Sequence, residues 1–154
     1  MLTNIMKSFK EYLSRVGKAR GFGIQSPWAY RFVTEIVGER CPYYYYETIE
    51  QIYKNRKERK FQKFIYRLRN FVYPQSIQII NIADADDELL RNTIIQCTEK
   101  GVFVLRGIYN DEFSRRRWLD IQNRDDVGIT FDMYDFAVCF LDTNIYKQHY
   151  KINF

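Results

Sequence analysis

Between residues 76 and 141, apolar runs of strand length alternate with amphipathic stretches of helical length. This alternation constrains the fold more than any other feature of the chain. Ser76–Ile82 reads as a strand, Asp86–Glu99 as a helix followed by Gly101, Val102–Leu105 as a strand, Asp111–Asn123 as a helix and Val127–Met133 as a strand. A strand–helix–strand succession implies parallel pairing through right-handed crossovers. Asp135–Leu141 and Lys147–Phe154 are expected as two more strands. Their connections are short, so antiparallel pairing is expected for both.

The first half has a different rhythm. Ile5, Phe9, Tyr12, Leu13 and Val16 recur at helical spacing, which predicts an amphipathic helix over residues 4–16. Ser26-Pro27 is a helix-start signal, with Ser as N-cap and Pro at the first position, and that helix is expected to reach Val37 before Gly38. Residues 45–73 carry one further helical stripe, with a break expected near Asn55 and an end at Pro74. Tyr43–Tyr46 cannot all occupy one face of a helix. One domain is expected over 1–154, built from a basic helical segment (1–75) and an α/β part (76–154).

Charge divides along the same boundary. Residues 1–75 hold 15 Lys/Arg against 6 Asp/Glu, and residues 76–154 hold 9 against 13. With 46 % apolar residues the chain suits a folded core rather than disorder. No apolar run is long enough for a membrane helix, and the N-terminal segment lacks the pattern of a signal peptide. No membrane association and a cytoplasmic location are therefore expected. Cys41, Cys97 and Cys139 are scattered and odd in number, which fits reduced thiols rather than a disulfide framework or a metal site. His149, the single histidine, has no ligand-spaced neighbours, so neither a catalytic triad nor a metal centre is expected.

Two blocks carry a resemblance. One is Gly23-Ile24-Gln25-Ser26-Pro27-Trp28-Ala29-Tyr30, followed by Pro42-Tyr43-Tyr44. The other is residues 99–154, ending in Lys147-Gln148-His149-Tyr150. Together they resemble a bacterial family of class I S-adenosylmethionine-dependent methyltransferases of the O-methyltransferase-like type, in its "G-[VI]-H-S-P-F" and "P-Y-Y" stretches and its "K-Q-H-[FY]" end. The resemblance implies an α/β fold: a reduced Rossmann-like methyltransferase sheet of about four or five strands, parallel with antiparallel C-terminal strands, plus an N-terminal helical layer. It also implies a loss. The family's glycine-rich "E-[IV]-G-x-x-x-G" turn and the acidic residue that holds the ribose have no counterpart, and no glycine occurs from Glu39 to Lys100. Gln25 stands at the family's histidine, and Arg106-Gly107-Ile108 where family members often have "D-D-I".

The turn after the first strand is Ala83-Asp84-Ala85-Asp86-Asp87. It lies where α/β proteins bind ligands, so Asp84, Asp86, Arg106 and Tyr109 form a candidate crevice. The simpler reading of the carboxylates is helix capping, which also suits Asp111 and Glu112. A second candidate is the basic run, with Lys54, Lys57, Lys60, Lys63 and Arg67 as an anionic-partner patch. Against it, Phe61, Phe64, Ile65 and Leu68 fall at core spacing, so the cations also read as a solvated face. Six phosphate contacts would give a log–log salt slope of about −5.

Three functions follow, in order of expectation. The first is a methyltransferase-like protein without S-adenosylmethionine binding or catalysis, acting as an interaction or regulatory protein. Its partner would be another protein or a second copy, joined as a homodimer through the Ser76–Ile82 edge. The second is a minimal S-adenosylmethionine-dependent enzyme with an atypical site. The third is a basic nucleic-acid-binding module.

Overall fold

A computed structural model describes residues 10, 13, 15, 21, 23–73, 75–97 and 101–154. The chain forms two compact units, Gly17–Tyr73 and Met1–Val16 with Pro74–Phe154.

The described residues of Gly17–Tyr73 are mainly helical. α1 (Pro27–Arg31) starts as its sequence predicts: Ser26 is the N-cap and its hydroxyl accepts the Ala29 N–H. It then continues as a π-helical turn, Phe32–Val37, closed by a hydrogen bond from Gly38 N–H to the Val33 carbonyl. The stripe over 45–73 is two helices, α2 (Tyr45–Ile52) and α3 (Arg56–Val72). The break at Asn55 has a local cause: its side chain accepts from Lys57 and Glu58 N–H groups at 2.8 and 3.2 Å and so caps α3. Phe32, Val33, Phe64, Ile65 and Leu68 form the interior of this unit. Trp28, Phe32 and Phe71 pack as a ring cluster with centroids 5.8–6.0 Å apart.

The other unit carries a five-stranded mixed sheet: β1 (Ile77–Asn81), β2 (Val102–Arg106), β3 (Thr130–Asp132), β4 (Phe136–Phe140) and β5 (His149–Lys151). Its order is β1-β2-β4-β3-β5. α4 (Asp87–Gln96) connects β1 to β2, and α5 (Glu112–Asn123) connects β2 to β3. β1 is parallel to β2, β4 is antiparallel to both β2 and β3, and β5 is parallel to β3. Four strands therefore run one way and β4 runs against them. With its crossover helices this is a reduced Rossmann-like α/β arrangement, and the parallel β1–β2 pair joined through α4 is the crossover pairing that the alternation of elements leads one to expect. β2 and β4 lie inside the sheet and are buried almost throughout, which is why both read as continuous apolar runs. The core gathers Ile82, Leu90, Phe103, Leu105, Ile108, Trp118, Ile121 and Cys139. Gly128 has no room for a side chain, since a Cβ there would lie 2.6 Å from the Asp142 carbonyl oxygen.

Three details differ from the expectation. β5 is shorter than Lys147–Phe154 and pairs parallel to β3 instead of antiparallel to its predecessor. The strands are so short that the residues from Leu141 to Gln148 suffice to return along one, at about 3.3 Å per extended residue. Of the segment Val127–Met133 only Thr130–Asp132 is strand, although Gly128, Ile129 and Met133 also make backbone hydrogen bonds to Phe140 and Phe136. In the predicted N-terminal helix, Lys10, Leu13 and Arg15 are helical, but Leu13 is 53 % exposed and Arg15 is buried at 2 %. Of the stripe, Leu13 departs from its expected burial, while a long-range ion pair, described below, holds Arg15 inside. Ile5, Phe9, Tyr12 and Val16 lie outside the described residues. Among the described residues no helix is long and apolar enough to cross a membrane.

Candidate functional site

Because β1, β2 and β3 run the same way, their carboxyl ends, Asn81, Arg106 and Asp132, share one edge of the sheet. In open α/β sheets ligands bind outside this edge.

The turn after β1 is closed on itself. Asp84 N–H donates to the Asn81 carbonyl at 3.0 Å, Ala85 N–H to the Ile82 carbonyl at 3.2 Å, and Asp86 N–H to the Asp84 carbonyl at 3.0 Å. Asp86 is the N-cap of α4, its carboxylate accepting the Leu89 N–H at 2.7 Å, a bond that contributes about 1 kcal/mol to such a helix. Asp87 meets Arg117 at 3.1 Å, and Asp84 is exposed. The backbone donors that a cofactor turn would present are thus spent inside the turn. Arg106 is half-buried at the end of β2, where its carbonyl accepts the Ile82 N–H at 2.9 Å.

The turn after β2 contains the glycine that the first lacks. Gly107 has φ +76°, and a Cβ there would lie 2.6 Å from Nδ2 of Asn110 and 3.4 Å from Oδ1 of Asn81. That space belongs to the chain's own side chains. Asp111 caps α5 through the Ser114 N–H at 2.7 Å, and this bond holds its carboxyl below the ordinary value.

The most developed cluster on this edge includes residues that the sequence pattern does not single out. Asp132 is 1 % exposed and forms an ion pair with Arg15. Arg15 Nη1 donates to Asp132 Oδ1 at 2.8 Å and to the Asp132 carbonyl at 2.9 Å, and Nη2 donates to the Tyr109 hydroxyl at 3.3 Å. That hydroxyl donates to Asp132 Oδ2 at 2.6 Å, and Tyr134 N–H donates to Oδ1 at 3.0 Å. The Tyr109 and Tyr134 rings stack at 5.4 Å and 13°. The Arg15 guanidinium carbon lies 5.4 and 5.5 Å from their centroids, within cation–π range. Of the four crevice residues, Tyr109 joins this cluster, while Asp86 is turned into its own helix. One sequence signal points to Asp132: a carboxylate in the run Ile129-Thr130-Phe131-Asp132-Met133 must find a partner once buried.

The basic patch divides. Lys54, Lys57 and Lys60 are exposed on α3 and the residues before it. Lys63 forms an ion pair with Glu50 and lies 4.9 Å from the Tyr46 ring centroid. Arg67 is buried, donating from Nε to the Ile36 carbonyl at 2.7 Å and from Nη1 to the Tyr46 hydroxyl at 2.8 Å. Tyr43 and Tyr46 pack on Tyr66, whereas Tyr44 is 90 % exposed.

No activated nucleophile appears among the groups the sequence singles out. Burial raises the thiols of Cys97 and Cys139, and Glu39 raises that of Cys41. His149 is held below its ordinary value by burial and then by Lys147, and its Nδ1 lies 2.8 Å from Thr130 Oγ1. Among the described residues no group of three His, Cys, Asp or Glu side chains is placed to hold a metal ion.

The fold and this edge define a reduced Rossmann-like α/β protein with a buried arginine–aspartate–tyrosine cluster where a ligand crevice is expected. Comparison with protein-family models, with curated proteins and with solved structures finds no match to the chain.

Proposed function

We propose that the chain is a methyltransferase-like protein that binds no S-adenosylmethionine, carries out no catalysis, and acts as an interaction or regulatory protein. The observation that carries this reading is the turn after β1. Its N–H groups at Asp84, Ala85 and Asp86 are hydrogen-bonded within the turn, and the Asp86 carboxylate occupies the first turn of α4. A ligand that took those N–H groups would have to break these bonds and leave the Asn81, Ile82 and Asp84 carbonyls without their donors. Titration calorimetry with S-adenosylmethionine and S-adenosylhomocysteine, on protein shown by circular dichroism to be folded, tests this directly. No heat of binding is expected up to millimolar ligand. Micromolar binding would overturn the reading in favour of a minimal enzyme with an atypical site.

The partner surface we propose is the β1 edge. Among the described residues β1 pairs only with β2, and Ile79 is 39 % exposed on it. An edge strand with open N–H and C=O groups invites pairing with another strand, and a second copy offers an identical one. Sedimentation across a concentration series is expected to show a monomer–dimer equilibrium, weakened by Ile79→Lys. A monomer at every concentration would exclude a self-association role for this edge. A nucleic-acid role is left with Lys54, Lys57 and Lys60 as its exposed contacts. It would appear instead as salt-sensitive retardation of RNA or DNA on a gel.

A further inference from the structure

We infer that Asp132, Tyr109 and Tyr134 form a guanidinium-binding site at the carboxyl edge of the sheet, filled in this chain by its own Arg15. A ligand of that class, an arginine side chain or a small alkylguanidine, enters only by displacing that residue. The inference stands apart from the methyltransferase reading, because it is argued from the contacts of Arg15, Asp132, Tyr109 and Tyr134 and not from the turn after β1.

Three observations support it. First, recognition is directed at the guanidinium head. The two terminal nitrogens reach Asp132 Oδ1, the Asp132 carbonyl and the Tyr109 hydroxyl, and the guanidinium carbon lies 5.4 and 5.5 Å from two ring centroids. A planar fork with several fixed donors meets these acceptors together, whereas an ammonium is a compact point charge. Second, the receptor is held by bonds that do not involve Arg15. Tyr109 donates to Asp132 Oδ2, Tyr134 N–H donates to Oδ1, and the two rings stack on each other. Third, the backbone is strained in order to present one of the rings. Tyr134 has φ +73° and is the only non-glycine with a positive φ among the described residues. It is the middle residue of Met133-Tyr134-Asp135, which joins β3 to β4, and a positive φ there favours glycine. An aromatic residue kept in that conformation marks a position at which the side chain serves a purpose.

Arg15 is 117 positions from Asp132 along the chain, so the occupant and the receptor come from opposite ends of the sequence. A tethered occupant acts as a competitor at an effective concentration on the order of millimolar or above. Free ligand therefore registers weakly on the native chain and strongly once the Arg15 side chain is gone.

The test is chemical rescue in the full chain. Arg15→Ala and, in parallel, Arg15→Gln are titrated with methylguanidinium up to about 50 mM and their melting temperatures followed. Saturable stabilisation is expected, with half-saturation on the order of millimolar, as suits so small a ligand. At ten times the half-saturation the rise is about 3–5 °C. Methylammonium should give less than a third of that rise. The sign is informative, because guanidinium compounds acting as denaturants lower stability linearly. If Arg15→Ala does not fold alone, the same titration is read as recovery of its far-ultraviolet circular dichroism. Adding Asp132→Asn to either variant should abolish the response. The inference is overturned if neither variant is saturably stabilised, if the native chain responds as strongly as the variants, or if the response survives Asp132→Asn.

Discussion

Asp132→Asn is expected to lower the stability of the sheet-bearing unit by about 3–5 kcal/mol, the range for removing one partner of a buried ion pair. The substitution hardly changes the size of the side chain, so the loss reports charge and hydrogen bonding. Arg15 and Asp132 are 2 % and 1 % exposed, and water cannot replace the missing carboxylate. The carboxylate also accepts from the Tyr109 hydroxyl and the Tyr134 N–H, so three donors lose an ionised acceptor at once. Urea unfolding followed by the fluorescence of Trp118, which is buried in the core of the same unit, measures the change. Combining Asp132→Asn with Arg15→Met should recover part of the loss, since the second change removes the stranded charge. A coupling of about 1.5–3 kcal/mol between the two positions is expected. A loss below about 1 kcal/mol for Asp132→Asn would mean that the pair does not form in solution.

Much of the sheet-bearing unit is legible in the sequence because its signals are local. Ile77–Asn81 and Val102–Arg106 are short apolar runs, and Asp86 and Asp111 mark the helix starts with side chains that do cap them. Capping is also the simpler reading of those carboxylates from sequence. What sequence periodicity cannot supply is anything set by a distant partner. Helical spacing places Leu13 in the core, whereas Arg15 is the buried residue, because its partner lies at the end of β3. The pairing of β5 depends on how far eight residues can travel beside a three-residue strand, and no hydrophobic pattern records that. Tyr134 reads as an ordinary turn aromatic, since the sign of its φ is invisible in composition. The glycine-free turn is an intermediate case. Its lack of glycine is plain from sequence, but only the hydrogen bonds of Asp84, Ala85 and Asp86 show that its donors are already committed.

The same distinction separates Arg67 from the lysines beside it in the basic run, and predicts opposite behaviour for them. Arg67→Ala is expected to destabilise the helical unit by about 2–4 kcal/mol, because hydrogen bonds from a charged group contribute about 1.5–3 kcal/mol each. Its two bonds connect three elements: α3 carries the guanidinium, the π-helical turn supplies the Ile36 carbonyl, and α2 supplies the Tyr46 hydroxyl. The Ile36 carbonyl falls in the last turn of its helix, where carbonyls have no intrahelical donor, so Arg67 satisfies a group that the helix itself leaves open. Arg67→Lys should not restore stability, since one ammonium cannot reproduce two bonds from separate guanidinium nitrogens. Lys57→Ala and Lys60→Ala, at exposed positions, should stay within about 0.5 kcal/mol of the native chain. Thermal unfolding of the four variants makes the comparison. If an anionic partner binds this helix, its affinity should fall as salt rises, and replacing a lysine should flatten the log–log slope by about 0.9 for each phosphate which that lysine neutralises. Arg67→Ala should leave the slope unchanged while lowering the melting temperature. The reverse pattern, a stable Arg67→Ala with a shallower slope, would return Arg67 to the binding surface.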